Sequence, residues 1–523
     1  MFILISITLL VLSAFVMLVL RIWRPGFGYH WLIAAGGAFA TWLMVLFSYT
    51  IIPDTLQVLS WGPRTAYSNS IILNLDQISW PFAVALGTLL LATVLSDVVR
   101  AYDLTWSNWA SSLFVVAIAL VGVFSGNLLT FILIWTAFDF IVLVILLLQL
   151  DSERLCRRAV WVFFIHLLGT VCLLFAGVIS VSDNNSVLLQ QVSPRAIIFV
   201  VLAAGFRFGA LPIDSQMQED PAGRRSFGTV RSLASMAIVI VLLVRVAAAL
   251  ENVELDGYLW PGLFSLVGLM ALLFCLAWLV AKDDLEGRQA WIVGLGMIIV
   301  ASTLRAESNS SLSWGLAAIF TGGLIYLASI RERFSMWITL VGVLGISALP
   351  FTPAWAGLAL FSAPFNLSLM LYLFSIIFVI WGFARQAARL IPEPAGLERW
   401  IKVVYPVGLL ILPLTQFGLG WIYKPEIGEV PLLGWITGPL ISMLAALGYV
   451  WQQRGGAFPQ GLARALRTFL NLKWLKSILA PIFVQMTRIL NFSASILEGE
   501  GGILWVLLSI VLFLAILLMS MGG

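Results

Sequence analysis

Ionisable residues inside otherwise apolar runs are where this sequence could do chemistry. Asp139 lies in the run 127–149, His166 in 159–181, Arg207 in 195–215, and Arg231 stands beside Ser232 at the start of the run 228–250. Charged groups surrounded by hydrocarbon are costly, so each is a functional candidate by default. Histidine is the side-chain type that gains and loses protons near neutrality, whereas arginine is in effect always charged. Such a set suggests a path for a proton or small cation. The plainer alternatives are an Asp139–Arg207 ion pair that orients two helices without moving anything, and a hydrogen bond from His166 to a neighbouring helix. Asp214 and Glu219, which follow Pro212, suit either the mouth of a cavity or a solvated loop.

Other chemistries find no support. The two histidines, His30 and His166, are too few and too far apart for a haem or a conventional metal cluster, and no metal or other cofactor is expected. The three cysteines, Cys156, Cys172 and Cys275, form no CxxC pair and read as small buried hydrophobes. No paired carboxylates share a span and no glycine-rich phosphate loop is present, so a membrane enzyme lacks its constellation. The net charge of +4 is spread over loops and forms no groove for nucleic acid.

The elements that must position these residues are membrane helices. The hydrophobic fraction is 61%, charged residues make up 10%, and the mean hydropathy is +1.04, far from a soluble domain. Apolar runs of roughly 20 residues, the length that crosses about 30 Å of hydrocarbon as a helix, recur along the chain about 16 times. The first begins at Phe2 with no basic segment before it and reads as a retained helix. An all-α integral membrane protein follows.

Lysine and arginine concentrate in the loops after odd-numbered spans, among them Arg21, Arg24, Arg100, Arg154, Arg157, Arg158, Arg224, Arg225, Lys282, Arg331, Arg385 and Arg389. The excess of basic residues in cytoplasmic loops then puts both termini on the non-cytoplasmic side, in what reads as a bacterial cytoplasmic membrane. The segment 452–502 breaks the pattern: Leu466, Phe469, Leu470, Leu475, Ile478 and Leu479 alternate at near-helical spacing with Arg464, Arg467, Lys473 and Lys476. That is the signature of an amphipathic helix in the membrane interface, bracing the bilayer or neighbouring subunits. A final span over 503–521 follows.

Several local patterns, in order, carry a resemblance. "LNLDQISW" (Leu73 to Trp80) enters the third span, "NLLTFILIW" (Asn127 to Trp135) opens the fifth, and "GFRFGALPIDSQMQEDPAG" (Gly205 to Gly223) interrupts the seventh. "SLASMAIVIVLLVR" (Ser232 to Arg245) lies in the eighth, and "ALPFTPAWAGL" (Ala348 to Leu358) interrupts the twelfth. This ordered set resembles the antiporter-like membrane subunits of complex I (NADH:quinone oxidoreductase) and of Mrp-type cation/proton antiporters, over most of the chain. Helix breaks at Pro212 and at Pro353 with Gly357, one in each half, fit that fold. Unpaired backbone at membrane depth is tolerated where it is buried in protein or lines a hydrated cavity.

The resemblance implies N-terminal helices over 1–126, a first antiporter-like unit over 127–250 and a second over 258–389, and further spans over 390–451 before the amphipathic segment and the last span, 503–523. It also implies a row of titratable groups: a Glu on the fifth span, a Lys on the seventh, a Lys or His on the eighth, and a Lys or Glu on the twelfth. This sequence departs at each, with Thr136, Arg207, Ser232 and Phe361 at the matching positions. Asp139, three residues after Thr136 and on the same helix face, can replace the lost carboxylate, and Arg231 can replace the position but not the proton release of the lost base. The expected function is a membrane-arm subunit of a complex-I-like or Mrp-like assembly. Its H+ or Na+ translocation is impaired, rerouted or lost, and its partners are other membrane subunits and the bilayer. The alternative is a stand-alone secondary transporter, for which the spans offer few polar groups to line a substrate site.

Overall fold

The computed structural model describes residues 2–60, 70–150, 152–184, 188–210, 221–251, 259–362, 366–392, 397–423 and 432–456, with Gly461, Gln485 and Arg488 beyond them. All but these last three belong to one compact unit, Met1–Gln460; Gly461–Gly523 forms a second. The final span falls outside the described residues, as do Pro212, Asp214, Glu219 and the expected amphipathic segment beyond Gly456 apart from Gly461, Gln485 and Arg488, while Gln452 and Gln453 of that segment end the preceding helix.

The first helices are α1 (Phe2–Trp23) and α2 (His30–Phe47). A β-hairpin follows, β1 (Asp54–Ser60) antiparallel to β2 (Ser70–Leu75) with Asp54 opposite Leu75. Next come α3 (Ser79–Ser96), α4 (Trp106–Val123), α5 (Leu128–Gln149), α6 (Glu153–Asn184), α7 (Ile197–Phe208), the short α8 (Pro221–Arg225) and α9 (Phe227–Leu250). The second half holds α10 (Leu259–Val280), α11 (Asp284–Leu304), α12 (Ser308–Leu327), α13 (Arg333–Ile346), α14 (Leu367–Ala387), α15 (Ile401–Ile422) and α16 (Leu432–Gln453).

Thirteen helices among the described residues are long and apolar enough to cross a membrane. The difference from 16 has a physical source. The seventh expected span is helical over Ile197–Phe208, and the twelfth over Arg333–Ile346 followed by a separate 3-10 turn, Trp355–Phe361. The first of these helices ends at Gly209 and the second at Ser347, both short of spanning length, and the last expected span is not described.

Burial sorts the helices into layers. α12 is buried along its length and α3, α9 and α11 nearly so, whereas α1, α6 and α16 turn most of their apolar side chains outward. Inside lipid the apolar effect does not separate these layers, and close packing through small residues does. α12 accordingly carries Ser310, Ser311, Gly315, Ala317, Ala318, Gly322 and Gly323 on buried positions.

Two polar clasps hold the bundle at its ends. The motif around Asp76 is first a local cap: its Oδ1 accepts the N–H groups of Ile78 and Ser79 at 3.2 and 2.8 Å, starting α3. The same carboxylate takes Arg245 of α9 at 2.7 Å, with the Arg245 side chain wholly buried. At the other end Asp284, first residue of α11, accepts Arg225 at 3.0 Å on each oxygen and Arg331 at 2.5 Å. Burial pushes the Arg331 guanidinium below its ordinary value and Asp284 opposes that shift. Arg225 also donates to the Tyr326 carbonyl at 3.0 Å and Arg331 to that of Ile325 at 2.9 Å, so both cap the end of α12. Ser226 donates at 2.5 Å to Asp97, which also takes Arg100 and Trp109, adding α3 and α4 to this clasp.

Candidate functional site: a charged cavity beside a broken helix

α7 stops at Phe208 because Gly209 adopts a left-handed conformation (φ 74°), which a glycine takes without the usual side-chain penalty. The reversal leaves the Phe208 carbonyl without a helical partner. Gln289 of α11 supplies one, its Nε2 donating to that oxygen at 2.6 Å. The break therefore holds Arg207, one residue before it, at a fixed depth in the bundle.

Arg207 meets Asp139 of α5 in an ion pair, with the Arg207 side chain fully buried and that of Asp139 5% exposed. The guanidinium carbon stands 4.5 Å from the ring centre of Trp135 and 5.1 Å from that of Phe138, both on α5, so the cation rests against two aromatic rings as well as the carboxylate. His166 of α6 reaches the other carboxylate oxygen, Nδ1 to Oδ1, at 3.0 Å. Three adjacent helices thus converge on one carboxylate.

These residues border a cavity of about 130 Å³, whose lining also includes Arg231, Ser232 and Ser235 from α9 and Arg288 and Gln289 from α11. Arg288 is itself buried and donates to the Arg224 carbonyl at 2.6 Å. Of the residues singled out in the sequence, Asp139, His166, Arg207, Arg231 and Ser232 all face this one cavity. Thr136 does not line it; its hydroxyl donates to the Ile132 carbonyl of its own helix at 2.8 Å. Arg288 reads in the sequence as a basic loop residue before the run 289–304, but α11 begins at Asp284 and carries it one turn inside the helix; Gln289 and Ser235 went unnoticed.

The second break is closed differently. Ser310 and Trp314 of α12 donate to the Gly357 carbonyl at 2.8 and 3.0 Å, and Ser313 to the Pro353 carbonyl at 2.9 Å. A Cβ built on Gly357 would stand 2.5 Å from the Trp314 indole nitrogen, so this position needs glycine for close approach. Phe361 is 2% exposed. The nearby void, lined in part by Ser313, Pro353 and Gln416, measures about 30 Å³, room for a water or so. Between the two breaks the core helices offer little to carry a charge. α9 has no ionisable residue between Arg231 and Arg245, α11 none after Arg288, and α12 only Tyr326. Among the described residues no cluster of three or more His, Cys, Asp or Glu could hold a metal ion.

No protein-family model matches the sequence, and no curated protein matches it. Solved structures do match in fold. A chain of the membrane-bound sulfane sulfur reductase, an archaeal respiratory membrane complex, superposes with a TM-score of 0.67 at 14% identity, over 98% of this chain and 100% of that one. A chain of the Mrp complex from Dietzia sp. DQ12-45-1b gives 0.64 at 14% identity over 99% of this chain, which spans 63% of the Mrp chain. A chain of respiratory complex I from Thermus thermophilus gives 0.57 at 14% identity, over 80% of this chain and 97% of that one. At such identity the likeness carries the fold alone, that of an all-α integral membrane protein.

Proposed function

We propose that this chain is a membrane-arm subunit of a multi-subunit assembly of the complex-I-like or Mrp-like kind, in which the Asp139–Arg207 pair is a fixed structural charge and not a stage in cation or proton transfer. The observation that carries the proposal is the burial of Arg207 between one carboxylate and two aromatic rings. A relay must release its proton, and for an arginine at its ordinary value that costs about 7.5–9 kcal/mol at pH 7. Lysine shifts readily when buried; arginine does not serve in that way. Asp139 is tied to the Arg207 cation, and the His166 contact orients it.

Two further observations support the reading. Arg231 and Arg288 stand at the same cavity as Arg207, and guanidinium groups in a narrow polar passage oppose the entry of cations and protons. Phe361 and the carbonyls held by Ser310, Ser313 and Trp314 close the second break. On this proposal the arginine-rich loops face the cytoplasm of a bacterial cell, both termini face away from it, and transport, where the assembly performs it, passes through other subunits.

The test has two parts. Chain purified through an affinity tag in mild detergent is expected to emerge with other polytopic subunits, in a particle well above its own 57.5 kDa. The isolated chain in proteoliposomes is expected to pass neither H+ nor Na+ down an imposed gradient. Saturable, Asp139-dependent exchange by the isolated chain would instead make it a stand-alone secondary transporter.

A further inference from the structure

A second concave site lies away from the charged cavity, at the ends of α10, α14 and α16. It encloses about 520 Å³ and is lined by Lys282, Arg385, Arg389, Gln452 and Gln453 with short apolar neighbours. Three cations and two neutral amides share it, and no carboxylate is among the described lining residues. Part of the work of these arginines is local. Arg385 donates to the Ala281 carbonyl and Arg389 to that of Lys282, covering the carbonyls freed where α10 ends. That role leaves most of their donors unused, since a guanidinium carries five N–H groups. It also places two like charges four residues apart, Arg385 in the last turn of α14 and Arg389 just past the end of that helix, and like charges so close repel in the absence of an anion.

The surroundings are those of a membrane interface. Trp381 and Trp451 stand edge to face at 6.3 Å beside the site, and the Trp381 indole donates to Gln452 at 3.1 Å; tryptophan favours the headgroup level of a bilayer. From there Leu440, Met443, Leu447 and Val450 form an exposed apolar stripe along α16. A basic depression at the head of an apolar stripe matches an anionic amphiphile, with phosphate in the depression and acyl chains on the stripe. Basic pockets between helices at a membrane face bind acidic lipid headgroups in this way.

We propose that Lys282, Arg385 and Arg389 form a binding site for the phosphate of an anionic phospholipid, whose acyl chains lie along α16. The proposal stands on this pocket alone and is independent of the assembly reading.

The experiment titrates the purified full-length chain in nonionic detergent with phosphatidylglycerol, phosphatidylcholine or inorganic phosphate, and follows thermal unfolding. Phosphatidylglycerol is expected to raise the midpoint saturably, and the other two are not. In Lys282→Gln/Arg389→Gln, which spares the mostly buried Arg385, the apparent affinity for phosphatidylglycerol is expected to fall roughly thirtyfold, at about 1 kcal/mol for each basic group removed. Both altered side chains are exposed, but Arg389 also covers the Lys282 carbonyl; Lys282→Gln alone, which leaves that bond in place, serves as the second variant if the lipid-free midpoint falls. Arg157→Gln, an exposed arginine at the start of α6, is expected to change nothing. An equal response to phosphatidylcholine, an equal response to inorganic phosphate, or an equal loss in Arg157→Gln would each overturn the proposal, as would an unchanged affinity in both pocket variants.

Discussion

Arg207 and Asp139 were legible in the sequence as charges inside apolar runs, because hydrocarbon makes such residues conspicuous. That His166 would join the same carboxylate was not legible, since which face of α6 meets α5 depends on packing. If the pair is structural, its value shows in stability. Arg207→Met, which leaves Asp139 buried beside His166 alone, is expected to cost about 3–5 kcal/mol, whereas Asp139→Asn combined with Arg207→Met should recover most of that loss. Thermal or denaturant unfolding in detergent measures both. Gln289 illustrates what the sequence hid: a polar residue early in α11 holds the carbonyl exposed by a break 81 positions earlier. Replacing it by leucine leaves that oxygen without its partner, for an expected loss of about 1–3 kcal/mol by the same measurement.

The sequence put the breaks at Pro212, which lies outside the described residues, and at Pro353 with Gly357; the helices end at Gly209 and at Ser347, and how each break is satisfied was not legible. The serines at the start of α12 look in the sequence like an ordinary polar helix entry, and in the fold Ser310 and Ser313 reach across to the carbonyls of the second break. The two breaks consequently differ: the first borders a charged cavity, and the second is packed and hydrogen-bonded. Gly357→Ala forces a methyl group against the Trp314 indole and is expected to destabilise by about 1–3 kcal/mol through overpacking. Ser310→Ala should cost less, about 0.5–1.5 kcal/mol, because Trp314 still donates to the same oxygen. The order of the two effects, read from unfolding midpoints, checks that the break is held closed by packing first and hydrogen bonds second.

Across the whole molecule, composition and the length of apolar runs were enough to give an all-helical membrane bundle, and the ordered motifs pointed to its type. The clasps that close the bundle were not visible. Arg331 reads in the sequence as a basic loop residue and Arg245 as a charge toward the end of the eighth span, yet each is buried against a carboxylate far away in the chain, Asp284 and Asp76. Asp284→Asn would leave Arg225 and Arg331 sharing one neutral amide, and is expected to cost about 3–5 kcal/mol, seen as a lower midpoint and poorer recovery from membranes. The charges that organise this protein thus stand mainly at the two ends of the bundle and around Arg207, with an apolar stretch of α9, α11 and α12 between the two breaks. The most direct measurement is the structure of the intact assembly at a resolution that shows water, followed from His166 and Arg207 past Ser235 to Phe361. The expected result is water confined to the cavity beside Arg207, Phe361 packed without water, and neighbouring subunits of the same fold; a continuous file of waters crossing this chain from one membrane face to the other would contradict it.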